Sequence, residues 1–322
     1  MTTRTRAIAL ALFVTVLWSS SWVLIKVGLR DLDLKPISFA GVRYTIAAAT
    51  LLCFAWPALG RLRHTDGLRP QLFGHVAVFG LLLYGVTQGA QFVALSLLPN
   101  ATVSLVMNNT SIIVAFVSAW ALREAPTRLQ VAGIAVIAAG ALMYFGLAEL
   151  GTEAIAGLSF AALATLTNGI GTVLNRSLAR EAMAHLGGPL PLTAMSMTVG
   201  AVALLTTGIF VEGAPHLTPL AWGIVVWLAV VNTAVAYTLW SWAMKMLTAP
   251  EASVINNTML IQIAVLAWIF LGEALNLRQL AGLACVAVGV LLVQVAPGLE
   301  ALAYRRWTSA AGRLLALLPA ER

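Results

Sequence analysis

The sequence contains few charged residues, few histidines and only two cysteines. Asp, Glu, Lys and Arg make up 10% of its 322 residues, and four residues are histidine. Soluble globular domains contain about 25% charged residues, so this composition argues against a water-soluble protein. Cys53 and Cys285 are isolated in apolar sequence, which argues against a disulfide or a cysteine-based metal site. We therefore expect no metal and no cofactor.

Apolar residues are abundant and occur in long windows. They make up 60% of the chain, which has a mean hydropathy of +0.92. The windows are about 20 residues long, the length that an α-helix needs to cross about 30 Å of hydrocarbon. Their residues do not alternate as in membrane β-strands. We predict an all-α integral membrane protein with ten transmembrane helices, at 7–29, 36–58, 72–93, 100–122, 128–147, 155–176, 190–211, 219–242, 251–271 and 279–296.

Catalytic motifs are missing as well. The sequence has no phosphate-binding loop, metal triad or nucleophile motif, and no Asp, Glu or His near the middle of a predicted helix. We therefore predict no catalytic residues and no enzymatic activity. A membrane-embedded lipid-modifying enzyme is the alternative, although the paired carboxylates or histidine cluster that it needs are lacking. The absence of Asp, Glu and His near the helix centres also slightly favours facilitated transport over obligatory proton coupling.

The basic residues are distributed unevenly between the links. Lys and Arg accumulate on the cytoplasmic side of membrane proteins. With a cytoplasmic N-terminus, fourteen of the nineteen fall on the inner side and only Arg30, Lys35 and Arg278 on the outer side. We predict a multi-pass protein of the inner membrane with both termini in the cytoplasm. This distribution accounts for the net charge of +7, so we expect no nucleic-acid partner.

One 15-residue segment occurs twice. VMNNTSIIVAFVSAW at 106–120 and VINNTMLIQIAVLAW at 254–268 share eight identical positions, including an Asn-Asn-Thr triplet. The similarity continues on both sides, so the chain contains two copies of a five-helix unit. Because five is odd, the second copy must be inverted in the membrane, an arrangement typical of transporters with a substrate site near the midplane. We place the first repeat at 1–148, the second at 149–298 and a cytoplasmic amphipathic tail at 299–322.

Several motifs resemble a known family. LWSSSWVLIKVGL in the first segment, PISFAGVRYTIAAATLL in the second and the AL-x(n)-P turns before the fourth and ninth are similar to the drug/metabolite transporter (DMT) superfamily. More closely, they resemble its EamA-type ten-helix exporters of amino acids and related metabolites. Ser19 stands where the family usually has glycine, and serine still allows close helix approach. The resemblance implies that helices three, four, eight and nine surround a central cavity.

Polar and aromatic residues occur with helical spacing on equivalent faces of the third and eighth segments. Polar side chains in a bundle avoid lipid, so both faces should point into the cavity. Hydrogen bonding between helices is the alternative for any one of them. With residues of four other segments they form the predicted substrate-binding set, which is Tyr84, Gln88, Gln91, Asn108, Tyr237, Trp240, Asn256, Trp18 and Arg43.

Neighbouring asparagines lie 100° apart on a helix, so both members of a pair cannot face the cavity. We expect one asparagine of each triplet to bind a neighbouring helix instead. Trp18 and Trp240 have two interpretations as well, because they could pack against an apolar or aromatic part of a substrate or serve as structural anchors.

Arg43 is the deepest predicted cation, about 10 Å inside the second segment at 1.5 Å per residue. An arginine at this depth needs carbonyls, water or an anion. Asp31 and Asp33 of the preceding link are candidate partners. A substrate carboxylate is the alternative.

These patterns predict a transporter that exports amino acids or similar small zwitterionic or aromatic metabolites by alternating access. Nucleotide sugars, phosphorylated metabolites or drugs are the alternative substrates, but phosphates call for several cations in the cavity and only Arg43 qualifies. The expected partners are a small-molecule substrate and membrane lipid, with the protein acting as a monomer or homodimer.

Overall fold

The structure of the protein is a computed structural model. It describes residues 3–62, 70–110, 112–114, 116–117, 127–145, 151–186, 188–247 and 249–295. These residues are almost entirely helical, and none of them lies in a β-strand. The predicted all-α class is therefore confirmed. The predicted amphipathic tail at 299–322 lies outside the described residues.

Ten helices follow one another in the described residues, one for each predicted segment. They are α1 Thr3–Arg30, α2 Pro36–Leu62, α3 Gln71–Leu97, α4 Asn100–Asn108, α5 Arg128–Phe145, α6 Thr152–His185, α7 Pro189–Glu212, α8 Pro219–Ala243, α9 Ala249–Leu271 and α10 Leu277–Val295. Eight of them are long and apolar enough to cross a membrane, and α5 is shorter. α4 is a regular helix over nine described residues.

Proline, threonine and glycine set several helix ends. Pro36 and Pro219 occupy the first turns of α2 and α8, where a missing N–H leaves no helical hydrogen bond unmade. Thr218 caps α8, because its hydroxyl oxygen accepts a hydrogen bond from the backbone N–H of Ala221 at 3.3 Å. α9 ends at Leu271 and is followed by Gly272, whose φ of 69° is the left-handed conformation that glycine adopts without strain.

Two pairs of glycines show how the repeats are related. A Cβ on Gly133 of α5 would lie 2.9 Å from the carbonyl oxygen of Gly289 of α10, and one on Gly140 would lie 2.8 Å from that of Gly282. Gly133 corresponds to Gly282 in the repeat alignment, and Gly140 to Gly289. Exchanging the repeats therefore maps one contact onto the other, which requires α5 and α10 to run antiparallel about a two-fold axis. The predicted inversion is confirmed.

The remaining helices pack with the same relationship. α2 packs against α7, and α4 against α9, so each of these helices meets its own counterpart. α1 packs against α8 and α9, just as α6 packs against α3 and α4. The largest buried apolar cluster includes residues of α1, α2, α3, α7 and α8. Helices of both repeats therefore share one apolar core.

Two short π-helical segments interrupt the long helices α3 and α8. They span Leu81–Val86 and Val230–Val235, and they occupy equivalent positions because Tyr84 corresponds to Thr233. A π-turn accommodates one extra residue, so the face that follows it rotates relative to a continuous α-helix. The α-helical spacing assumed for the third and eighth segments is therefore wrong at this point. Such π-bulges are rare and frequently occur at functional sites.

Candidate functional site

Arg43 lies on α2 and is buried against α3 and α8. Its side chain is 5% exposed, and Nη2 donates a hydrogen bond to the hydroxyl of Thr233 at 3.2 Å. The guanidinium carbon lies 5.2 Å from the ring centre of Tyr44 and 5.8 Å from that of Phe92. Its Nε has no hydrogen-bond partner among the described residues. The site therefore contains a buried cation with an unused donor.

The two aspartates of the α1–α2 link do not neutralise Arg43. Asp31 accepts a hydrogen bond from Nε of Arg30 at 2.7 Å, and this bond lowers the pKa of the Asp31 carboxyl below its usual value. Asp33 lies 3.6 Å from the ammonium of Lys35. The expectation that either aspartate serves Arg43 is therefore wrong. The remaining partners predicted for this cation are carbonyls, water and a substrate carboxylate.

Two tyrosines lie next to each other beside Arg43. The guanidinium carbon is 5.2 Å from the ring centre of Tyr44. Tyr84 lies in the π-segment of α3, is 3% exposed, and has its ring centre 6.2 Å from that of Tyr44. Both phenol groups can donate or accept hydrogen bonds.

A trio of aromatic residues (Trp18, Tyr237 and Trp240) extends the site along α1 and α8. The ring centre of Trp18 lies 5.4 Å from that of Tyr237 and 5.1 Å from that of Trp240. All three side chains are partly exposed. Their flat surfaces suit an apolar or aromatic group.

The amide side chains of Gln88 and Gln91 lie on α3, beyond its π-segment. Gln91 is 7% exposed and Gln88 is half-buried. Neither has a hydrogen-bond partner among the described residues. Each amide can both donate and accept, so both are available to water or to a polar ligand.

The two Asn-Asn-Thr triplets behave differently. In α4, Nδ2 of Asn108 donates to the Ser104 carbonyl at 3.2 Å and Nδ2 of Asn109 donates to the Leu105 carbonyl at 3.0 Å. Both therefore bind their own helix, and the expectation of a bond to a neighbouring helix is wrong for this triplet. The regular helix ends at Asn108.

The second triplet lies within an unbroken helix. Asn257 donates from Nδ2 to Oε1 of Gln294 on α10 at 2.6 Å, so the expected bond to a neighbouring helix is confirmed here. The side chain of Asn256 is exposed. Among the described residues, no hydrogen bond connects Asn108 or Asn256 to Arg43 or to its neighbours. Their assignment to the substrate site stays a prediction.

Some neighbours of Arg43 were not evident from the sequence. Tyr44 and Phe92 lack a polar pattern that would distinguish them from other apolar-face residues. Asn232 is 1% exposed in the π-segment of α8, and its Nδ2 donates to the Leu17 carbonyl and, at 3.2 Å, to the Ser20 hydroxyl. Aligning the two π-segments with each other would have indicated this region. The helical periodicity of a single sequence, however, does not predict where π-segments occur.

The group around Arg43 can bind an anion. Guanidinium N–H donors match the two oxygens of a carboxylate, and charge-assisted hydrogen bonds are about twice as strong as neutral ones. Within the part of the chain that the structure describes, no group of three or more His, Cys, Asp or Glu side chains could hold a metal ion. The chemistry of the described site is therefore binding through charge, hydroxyls and aromatic faces.

Comparison with known proteins agrees with this architecture. The profile of the EamA-like transporter family matches residues 5–146 and, a second time, residues 155–295. A Salmonella typhimurium protein named "Probable amino-acid metabolite efflux pump" is 26% identical over 297 residues, which cover 87% of this chain and 92% of that protein. A Pseudomonas aeruginosa protein named "Probable biotin transporter" is 27% identical over 257 residues, which cover 76% of this chain and 82% of that protein.

A solved crystal structure has a similar fold. The two structures superimpose with a TM-score of 0.63, over 91% of this chain and 99% of the other chain. The two sequences are 19% identical, so this likeness concerns the fold alone.

Proposed function

Because the chain belongs to the EamA-like transporter family, we propose that it exports amino acids or similar small carboxylate-bearing metabolites across the inner membrane. It is a multi-pass membrane transporter, and its substrates are small molecules. Both termini lie in the cytoplasm, as the distribution of basic residues suggests. The two inverted repeats exchange conformations, and this exchange opens the central site to each side in turn.

The environment of Arg43 carries this proposal. An arginine at the centre of a membrane helix costs at least about 2.5–3.5 kcal/mol by insertion scales. The neutral hydroxyl of Thr233 and nearby ring faces offset only part of that cost, and Nε is left without a described partner. A substrate carboxylate would supply the missing charge and two acceptor oxygens. We therefore assign the carboxylate of the substrate to Arg43.

The names of two relatives support a carboxylate. One relative is named as an amino-acid metabolite efflux pump and the other as a biotin transporter. Amino acids and biotin differ in size and in their other groups, but both carry a carboxylate. A family site that keeps an anion-binding group and varies its apolar surroundings could serve both kinds of substrate.

The rest of the substrate meets the aromatic trio and the two glutamines. Trp18, Tyr237 and Trp240 offer broad apolar surfaces that tolerate different side chains. Gln88 and Gln91 can hydrogen-bond to an ammonium group or a second polar group without a fixed charge. We expect weak binding of several related substrates, because a site of this kind has no rigid ionic contact for the second end.

Nucleotide sugars, phosphorylated metabolites and drugs are the alternative substrates. A phosphate carries up to two negative charges and is usually bound by several cations. Lys26, which also lies within a helix, donates to main-chain carbonyls instead of facing Arg43. A neutral drug would leave the Arg43 charge unpaired. The surroundings of Arg43 therefore favour a monocarboxylate.

The experiment that tests the proposal compares acids with their amides in proteoliposomes. Arg43→Gln should weaken transport of an amino acid by about thirtyfold, because truncating one partner of a buried charge pair costs about 2 kcal/mol or more. The amide of the same amino acid, which lacks the negative charge, should be affected much less. Arg43→Lys should restore transport of the acid only in part, because lysine lacks the planar fork of arginine.

Lys35→Gln is the matched control. Lys35 is exposed in the α1–α2 link, so its replacement removes a positive charge without touching the site. Transport by this variant should equal that of the wild type. Equal losses for acid and amide in Arg43→Gln would assign Arg43 a structural role and refute the carboxylate assignment.

A further inference from the structure

Two charged side chains hold the short link between α3 and α4. The ammonium of Lys26 on α1 donates hydrogen bonds to the carbonyl oxygens of Leu95 at 2.7 Å and Leu98 at 2.9 Å. The carboxylate of Glu273, in the link between α9 and α10, accepts from the backbone N–H of Asn100 at 2.9 and 3.2 Å. Residues from both repeats therefore meet at one turn of the chain.

The signs of these charges match the helix ends that they contact. The last carbonyls of a helix carry partial negative charge, and its first N–H groups carry partial positive charge. The ammonium of Lys26 lies beside the C-terminal end of α3, and the carboxylate of Glu273 lies beside the N-terminal end of α4. Each contact is a charge-assisted hydrogen bond to a main-chain group that has no partner within its own helix. Both contacts stabilise the present position of the link.

The link is buried at this end of the bundle. Leu98 is 6% exposed, Asn100 is fully buried and Ala101 is 1% exposed. Thr102 and Tyr144 are joined by a hydrogen bond of 3.0 Å between their hydroxyls, which ties α4 to α5 just behind the link. A ligand leaving the Arg43 site toward this end would have to displace the link.

The closed position has an unsatisfied polar group. Both the nitrogen and the oxygen of the Asn100 side-chain amide are buried and lack hydrogen-bond partners among the described residues. A buried amide without partners is unfavourable, and movement of the link toward water would hydrate it. The closed position is therefore stabilised by two ionic contacts and destabilised by one buried amide, a balance suited to a reversible gate.

Lys26 and Glu273 are attached to two helices that pack together. α1 and α9 lie side by side, and Ser19 donates a hydrogen bond to Oε1 of Gln262 at 2.9 Å between them. Lys26 binds the carbonyl of Leu98 and Glu273 binds the N–H of Asn100, so the two charges lie near each other. When the link moves away, each can turn toward the other, which would offset part of the cost of breaking the closed contacts.

We propose that Lys26 and Glu273 are the gating residues at one end of the transport path. They hold the α3–α4 link closed in this conformation, and their release opens the central site toward the predicted outer side. This inference rests on the proposed transport function, because a gate presupposes a path. It does not depend on which substrate the site binds.

A thiol-labelling experiment tests the gate without any substrate. In a Cys53→Ala/Cys285→Ala background, Gln88→Cys places a single reporter on α3. A membrane-impermeant maleimide is added to the outer side of spheroplasts that express the protein. Lys26→Met and Glu273→Gln should each increase the labelling rate about tenfold, which corresponds to a shift of about 1.4 kcal/mol toward the open state.

Glu212→Gln provides a matched control. The Glu212 carboxylate accepts from the backbone N–H groups of Ile37 at 3.0 Å and Ser38 at 2.7 Å, at the N-terminus of α2. Its replacement therefore removes the same kind of contact from a helix start outside the α3–α4 link. The labelling rate should stay at the wild-type value.

A conservative variant separates gating from misfolding. Lys26→Arg keeps the charge and the donors, so its labelling rate should stay near that of the wild type. Each variant is first checked for a monodisperse elution profile in detergent, and if Lys26→Met fails this check, Glu273→Gln alone decides. Unchanged labelling in well-folded Glu273→Gln, or an equal increase in Glu212→Gln, overturns the gate. Increased labelling of the gate variants, combined with no carboxylate transport by the protein that keeps its native Gln88, would retain the gate and reject the substrate assignment.

Discussion

Replacing Trp240 by alanine should widen the substrate site and shift its preference toward larger side chains. The ring centre of Trp240 lies 5.1 Å from that of Trp18, which in turn lies 5.4 Å from Tyr237. Losing one ring removes an aromatic contact worth about 0.5–1.5 kcal/mol. Trp240 is only half-buried, so the loss of stability should fall near the lower end of this range and the protein should still fold.

The size of the shift in preference follows from the apolar surface that a substrate can bury. Each buried methylene contributes about 0.8 kcal/mol, or about fourfold in affinity. A side chain that places two more methylenes where the indole lay should gain roughly 1.6 kcal/mol, or about fifteenfold. A side chain as small as that of alanine cannot reach the vacated space and gains nothing. The preference for phenylalanine or leucine over alanine should therefore rise about fifteenfold.

Competition in proteoliposomes measures this ratio directly, with a small, a branched and an aromatic amino acid present together. Trp242→Ala is the matched control, because Trp242 lies on the same helix but is 47% exposed at the protein surface. This control should keep the wild-type order of preference. If Trp240→Ala also keeps the wild-type order and rate, the aromatic trio does not line the path, and the reasoning fails.

Two further predictions concern topology and packing. Cysteines placed at Lys35 and Ala214, one in each repeat, should react only with a thiol reagent added outside. A cysteine at Lys245 should react only with a reagent added inside. Labelling of all three positions from the same side would contradict the predicted orientation. Gln262→Leu should lower stability by about 1–2 kcal/mol, because Gln262 accepts from Ser19 and donates at 3.1 and 2.9 Å to two threonines; a melting temperature equal to that of the wild type would show that this network contributes nothing.

The helices and their inversion could be predicted from the sequence. The helices depend on local composition, and the inversion depends only on the number of helices in each repeat. A window of about 20 apolar residues specifies a membrane helix wherever it occurs, since lipid offers the backbone no other hydrogen-bond partners. Because five is odd, the second copy of a repeat with five such windows must be inverted in the membrane relative to the first. The glycine contacts of α5 with α10 follow the same symmetry.

The surroundings of Arg43 could be predicted only in part. The depth of Arg43 followed from its distance to Pro36, but its partners did not, because they come from other helices. Thr233 reaches it from a π-segment, and α-helical periodicity does not predict where an extra residue is inserted. The two nearby aspartates were plausible by sequence distance, yet exposed basic neighbours bind them instead.

The two Asn-Asn-Thr triplets show most clearly which features follow from the sequence and which depend on helix packing. Matching residues around them identify the triplets as equivalent positions of inverted repeats, and this follows from the sequence alone. What each asparagine binds depends on how the helices pack, because possible acceptors lie in distant parts of the chain. Asn257 donates to Gln294 on the facing helix α10. Asn109 instead donates to the Leu105 carbonyl one turn earlier in α4, because polar amide groups within a folded protein take an acceptor that their surroundings offer.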